Sequence, residues 1–179
     1  MTKLLAFHGD KAVQQKYIDR IRTHRKAEDL VQGDAKRCAI GCTLDGKYDH
    51  LAYETELGIP ERLAQLEDSI FEGLAKDEAM EWPERFLSAI HPGADLSMVW
   101  PKFALMLLTD EKIGCIQYAG DKWGVKEAVE GVADLYREWI KTGVPIMASA
   151  AESAAWSAKL KVYWSQAADK LIKLLREAR

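Results

Sequence analysis

His24, Cys38, Cys42 and His50 are the residues whose types and spacing are best suited to chemistry. Three of the four histidines and two of the three cysteines fall within the first 50 residues. Two thiolates and two imidazoles form a common tetrahedral zinc set. His24 follows Ile21 by three residues and Tyr17 by seven, which places it at the inward edge of a helix. Cys38 and Cys42 are four apart, and one helical turn brings such a pair to one face, within reach of a single ion. On an extended strand the two would sit about 13 Å apart at ~3.3 Å per residue, too far to share a metal. The zinc reading therefore needs residues 38–42 to be coiled. Its order, with a histidine ahead of the cysteines, matches no standard finger spacing. The competing reading is a pair of buried thiols with core or capping histidines, because free cysteine is among the most buried residue types.

Enzymatic alternatives draw on the same residues. One is a small metal-dependent enzyme using His24, Cys38, Cys42 and His50. Another is a cysteine nucleophile, in which Cys42 takes His50 or His24 as its base and Asp49 or Asp45 orients that base. Carboxylates pair at Glu54/Glu56 and at Glu67/Asp68, the latter beside an apolar helical stripe, and these are expected on a solvated face. The glycines are scattered singly, with no phosphate loop or dinucleotide fingerprint. No Glu-x-x-His pair suggests a di-iron bundle, and no histidine directly follows the second cysteine as haem attachment needs. Cys115 reads as core filling, and His91, ahead of Pro92-Gly93, as a helix-end residue facing terminal carbonyls.

The elements that must position these groups are helical. Asp10 is a plausible cap for a first helix carrying Val13, Tyr17, Ile18 and Ile21, running to about Asp29 and stopping near Gly33. Pro60 and Glu61 open a second, with Leu63, Leu66, Ile70 and Leu74 at three- and four-residue steps and Gly73 at its end. A third starts near Trp82–Pro83 and carries Phe86, Leu87 and Ile90. Asp95 or Ser97 caps a fourth, in which Pro101 fits only in the first turn or at a kink. Residues 111–118 form a short fifth helix or a buried connection. Asp121 caps a sixth, with Val125, Val129, Val132, Leu135, Tyr136 and Trp139 as its stripe and Gly143 as its stop. Between residues 35 and 58 two readings stay open. Asp45-Gly46 has the form of a two-residue hairpin turn, and the alternative is an irregular loop clamped to the helices. The fold class is mainly α either way: one domain spanning 1–179, a bundle of about six helices with an irregular or hairpin insertion.

The final segment, residues 145–178, reads as one long helix. Its first part is a tract of small residues, Ala148 to Ala158, and it passes into a Leu-rich stripe. Trp156, Leu160, Tyr163, Trp164, Leu171 and Leu174 are the candidate interface positions, with Ala167 and Leu175 on the same stripe. A helix that outlasts its own domain must cover its apolar face, and a homodimer or a heterologous protein partner would do so. The alternative is that the stripe folds back as core.

The chain has 179 residues, 48% hydrophobic and 30% charged, a soluble globular composition. Its longest apolar run, Phe103 to Leu108, is far short of the ~20 residues of a membrane span, so no membrane partner is expected. Three cysteines, and no charged-then-apolar leader, suggest a reducing compartment. Net charge is −3, which excludes a chain-wide nucleic-acid footprint. Charge is nevertheless uneven: eight Lys/Arg against four acids in 11–37, and ten acids against two bases in 49–81. Two oppositely charged segments that pack together would explain this. A weak nucleic-acid surface built from Arg20, Arg22, Arg25, Lys26, Lys36 and Arg37 is the alternative, but no aromatic residues interleave that run to stack bases.

Several segments resemble a family of uncharacterised bacterial and prophage-encoded proteins: Lys16 to Arg25, Leu30 to Gly33, Cys38-Ala39-Ile40-Gly41-Cys42-Thr43, His50 to Pro60, and Leu66 to Leu74. That family often carries an Ala/Ser/Trp tract towards its C-terminus, and Ser149 to Ala158 resembles a short version. The resemblance implies a bacterial or phage cytoplasmic setting and brings no activity with it. The leading functional expectation is a non-enzymatic protein that acts by binding another protein, with zinc as the one candidate cofactor.

Overall fold

The computed structural model describes residues 4–118, 124–145 and 164–179. Among these residues the protein is mainly α, with eight α-helices, two 3-10 turns and no strand. The chain divides into two compact units. One is built from the residues up to Ser97 together with Ile172–Arg179, the other from Met98–Leu171.

In the first unit, helix α1 spans Lys11–Lys26 and opens on Asp10, whose carboxylate accepts from Ala12 N at 2.7 Å. It stops three residues short of Asp29. Glu28 turns left-handed (φ 58°) and Asp29 N folds back to His24 O at 3.0 Å. His24, Arg25 and Lys26 fill its last turn, where cations complement the helix dipole.

The hairpin expected near Asp45-Gly46 does not form. Residues 35–58 instead hold two short helices, α2 at Ala39–Thr43 and α3 at Ala52–Leu57. All five residues of α2 are buried, which suits a coiled segment enclosed on every side rather than a strand with one solvated face. Cys38 is its cap, the thiol accepting from Gly41 N at 3.5 Å. Gly41 lies so close to the Lys36 backbone carbonyl that a side chain there would collide with it. Asp45-Gly46 does turn the chain, at φ 60° and 84°. Here it stops a helix, with Gly46 N bonding Gly41 O at 2.7 Å, the six-to-one bond of a Schellman stop.

Helix α4 spans Glu61–Gly73, with Pro60 at its cap position and the Glu54 carboxylate accepting from Glu61 N at 3.0 Å. Leu63, Leu66 and Ile70 are buried as their spacing requires. Helix α5, Lys76–Ala89, begins six residues ahead of Trp82, and Pro83 lies inside it. Asp77 and Glu78 supply the negative charge its first turn favours. Two glutamines finish these helices. Gln32 donates to Phe71 O and Leu74 O at 2.6 and 3.0 Å, and Gln14 to Leu87 O and Ile90 O at 2.9 and 2.7 Å. Tyr17, Tyr53, Phe71, Trp82 and Phe86 are the large side chains of this core.

In the second unit, helix α6 spans Val99–Thr109 with Pro101 in its first turn. Helix α7 spans Val125–Thr142 and ends on Gly143 (φ 72°). Residues 121–123 lie outside the described residues, so the cap expected at Asp121 is not placed. Ala104, Leu108, Ala133 and Tyr136 form the core between α6 and α7, and the rings of Tyr136 and Trp139 stack at 6.0 Å.

Helix α8, Trp164–Glu177, is the described part of the long terminal segment. Trp156, Leu160 and Tyr163 lie outside the described residues. Trp164, Ala167, Leu171 and Leu175 are buried within the chain and Leu174 is half-buried, so this part of the stripe serves as packing rather than open surface.

Candidate functional site

The four candidate metal ligands are drawn apart in two pairs. His24 Nδ1 lies 3.5 Å from Asp29, and the Cys42 thiol donates to Arg37 O and Asp29 O at 3.4 and 3.8 Å. His50 Nε2 lies 3.3 Å from Asp68, and the Cys38 thiol donates to Ala35 O at 3.6 Å. Among the described residues no three His, Cys, Asp or Glu side chains gather so as to hold a metal ion. The coiling that zinc would need is present, yet each thiol is turned onto backbone carbonyls and each imidazole onto a different aspartate. Burial pushes both thiols up to about 12, so they are held as thiols rather than as the thiolate a nucleophile needs. For the same reason Cys42 is not an activated nucleophile. Of the two proposed orienting carboxylates, Asp49 is engaged elsewhere: it accepts from Ala52 N at 3.2 Å and pairs with Lys47 at 3.5 Å.

Another cluster sits where α2, α3 and α4 meet, and it includes two carboxylates expected on a solvated face. Glu67 is 0% exposed and Asp68 8%. The position of Glu67 explains its burial: four residues after Leu63 and three before Ile70, it shares their inward face. That spacing is the signal in the sequence that locates it, and residue type obscures it. Asp68 Oδ2 accepts from Tyr48 OH at 2.7 Å beside His50, and the Tyr48 and His50 rings meet edge-on at 4.9 Å. Tyr48 is 49% exposed, so this side of the cluster reaches solvent. Behind it, Thr43 Oγ1, Tyr53 OH, both Glu67 carboxyl oxygens and Asp68 Oδ1 are enclosed without a hydrogen bond of good geometry. The Tyr53 hydroxyl lies close to both Glu67 and Thr43.

Burial pushes the Glu67 carboxyl well above the ordinary range. The Tyr53 hydroxyl opposes that shift and the neighbouring Asp68 charge adds to it. Tyr53 is itself raised well above its usual value, by burial first and by Glu67 second. Orphaned polar atoms at this density are uncommon in a folded interior and mark the junction as a candidate site.

No family model, curated protein or solved structure matches this chain. Any functional reading therefore rests on its own residues.

In the basic stretch, Arg22 and Arg25 both clamp Glu84, at 2.8 and 2.9 Å. Arg20 donates to Thr43 O at 2.8 Å and lies over the Tyr17 ring, and Arg37 pairs with Asp34 at 2.8 Å. These guanidiniums neutralise and pin the chain's own groups. On α7, by contrast, only Ala133 and Tyr136 of its 18 residues are buried. Val125 and Leu135 stand 46% and 47% exposed, and Ala128 is exposed too. Val125, Ala128 and Leu135 follow one another by three and seven residues, so these exposed side chains form an outward apolar flank beside Val132 and Trp139, which pack on the α6–α7 core. Among the described residues no helix is long and apolar enough to cross a membrane.

Proposed function

We propose that this chain acts by binding another protein rather than by catalysis, and that the outward flank of α7 is where the partner docks. The observation that carries the reading is the exposure of Val125 and Leu135 on an amphipathic helix that buries only two of its residues. A long side chain in an isolated exposed position needs no explanation, but Val125 and Leu135, with the exposed Ala128 on the same flank, present a narrow seam for a second helix. Gly131 supports the assignment. A side chain there would meet nothing among the described residues, although glycine inside a helix costs about 1 kcal/mol relative to alanine. Its smoothness lets another helix approach closely. Glu127 and Glu138 lie beyond the seam on its open side, so the fitting partner is an amphipathic helix flanked by Lys or Arg. The resemblance to bacterial and prophage proteins adds a cytoplasmic setting to this proposal.

The test is site-specific photo-crosslinking inside the producing bacterium. A photoreactive residue at Leu135 is expected to give one discrete adduct, abolished by Val125→Asp, while the same residue at Lys126, on the opposite side, gives none. Identical adduct patterns at the two positions would remove α7 as the docking face.

A further inference from the structure

We propose that the junction of α2, α3 and α4 is a proton-binding site, in which the Glu67 carboxyl holds the proton and that proton keeps α4 seated against α2 and α3. Glu67 is 0% exposed and neither of its oxygens has a hydrogen bond of good geometry, the Tyr53 hydroxyl being the one donor close by. An ionised carboxylate so enclosed needs a cation or several N–H groups, because desolvating an unpaired charge costs far more than a folded domain can spare.

The surroundings supply neither. From α3 comes the Tyr53 hydroxyl, and from the α2 cap the Cys38 thiol, which is turned to Ala35 O. Tyr48 and His50 are committed to Asp68. On α4 itself, Asp68 adds a like charge, and Glu72 accepts from Gly33 N at 2.8 Å. Arg20 of α1 spends its guanidinium on Thr43 O. From α5, Trp82 Nε1 donates to the Glu67 backbone carbonyl at 3.0 Å rather than to the side chain.

A proton on Glu67 changes this arithmetic. The neutral acid brings one O–H donor and keeps an acceptor. With the rotatable hydroxyls of Tyr53 and Thr43 it can then form an uncharged set in which each oxygen has a partner. Above its native pKa the carboxylate faces Asp68 with no compensating charge, and the seat of α4 is lost. The native state holds a proton that the unfolded chain releases near pH ~4.3. The stabilisation is therefore complete below that pH and disappears as pH rises through the raised native value.

Urea unfolding of the full chain at pH 5, 6, 7 and 8, wild type beside Glu67→Gln, tests this. Glutamine keeps the shape without the titration. The ratio of folding constants, variant over wild type, should rise about tenfold per pH unit while native Glu67 stays protonated. A ratio that is flat across the range overturns the proposal. If Glu67→Gln does not fold, the Glu67 carboxyl resonance of 13C-labelled wild type decides. A signal unchanged from pH 4 to 8 supports the site, and an ordinary titration near ~4.3 overturns it.

Discussion

Cys38 illustrates how one atom separates two accounts of the same residue. Its sulfur caps α2 through Gly41 N, so the test of its role is a pair of substitutions. A serine hydroxyl can cap the same N–H, whereas alanine cannot. Cys38→Ala is expected to be less stable than Cys38→Ser by about 1 kcal/mol in urea unfolding. A zinc site would instead make both variants fail alike, together with metal content. Gln14 makes a parallel case. Its amide satisfies two carbonyls at the end of α5, and Gln14→Ala should cost about 1–2 kcal/mol, read from the same unfolding curves. At this scale the sequence was least legible. The histidines and cysteines drew notice by type, yet the cluster with orphaned atoms centres on Glu67 and Tyr53. A glutamate on an inward helical position reads as surface until its neighbours at four before and three after are weighed.

Elements of three or more turns were legible, because α1, α4 and α7 repeat their apolar residues often enough for the period to show. Helices α2 and α3, of five and six residues, complete fewer than two turns and show no period. Their strongest local mark, Asp45-Gly46, names a left-handed turn without naming what it joins. The start of α5 was hidden for another reason. Lys76-Asp77-Glu78 offers no apolar residue, and Pro83 draws the boundary towards itself although the helix runs through it. Two glycines now make opposite predictions. Gly41→Ala forces a collision with the Lys36 carbonyl and should cost about 1–3 kcal/mol in thermal unfolding. Gly131→Ala meets nothing and should stabilise α7 by roughly 1 kcal/mol, while weakening the photo-crosslink from Leu135. A stabilised α7 with undiminished crosslinking would mean that Gly131 plays no part in docking.

For the whole molecule, the mainly α class followed from the sequence, whereas the division into two units did not, because the boundary at Ser97–Met98 has no linker composition. Residues 172–179 belong to the first unit, with Ile172 and Leu175 buried and Asp95 N bonding Arg179 O at 3.2 Å. Removing these residues should destabilise that unit by about 3–6 kcal/mol, the burial of two large aliphatic side chains. The measurement is hydrogen exchange at the core amides of α1 and α4, and unchanged protection there would refute the assignment.

The same discontinuity governs the order of events at the ribosome. A unit that closes on residues 172–179 cannot be completed when its first 97 residues have emerged. It must wait for the 82 that follow, on the order of 4–16 s at ~5–20 residues per second. Throughout that interval the nascent chain presents the surface that Ile172 and Leu175 will later cover, and chaperone occupancy should peak there and fall once residues 172–179 are free to dock.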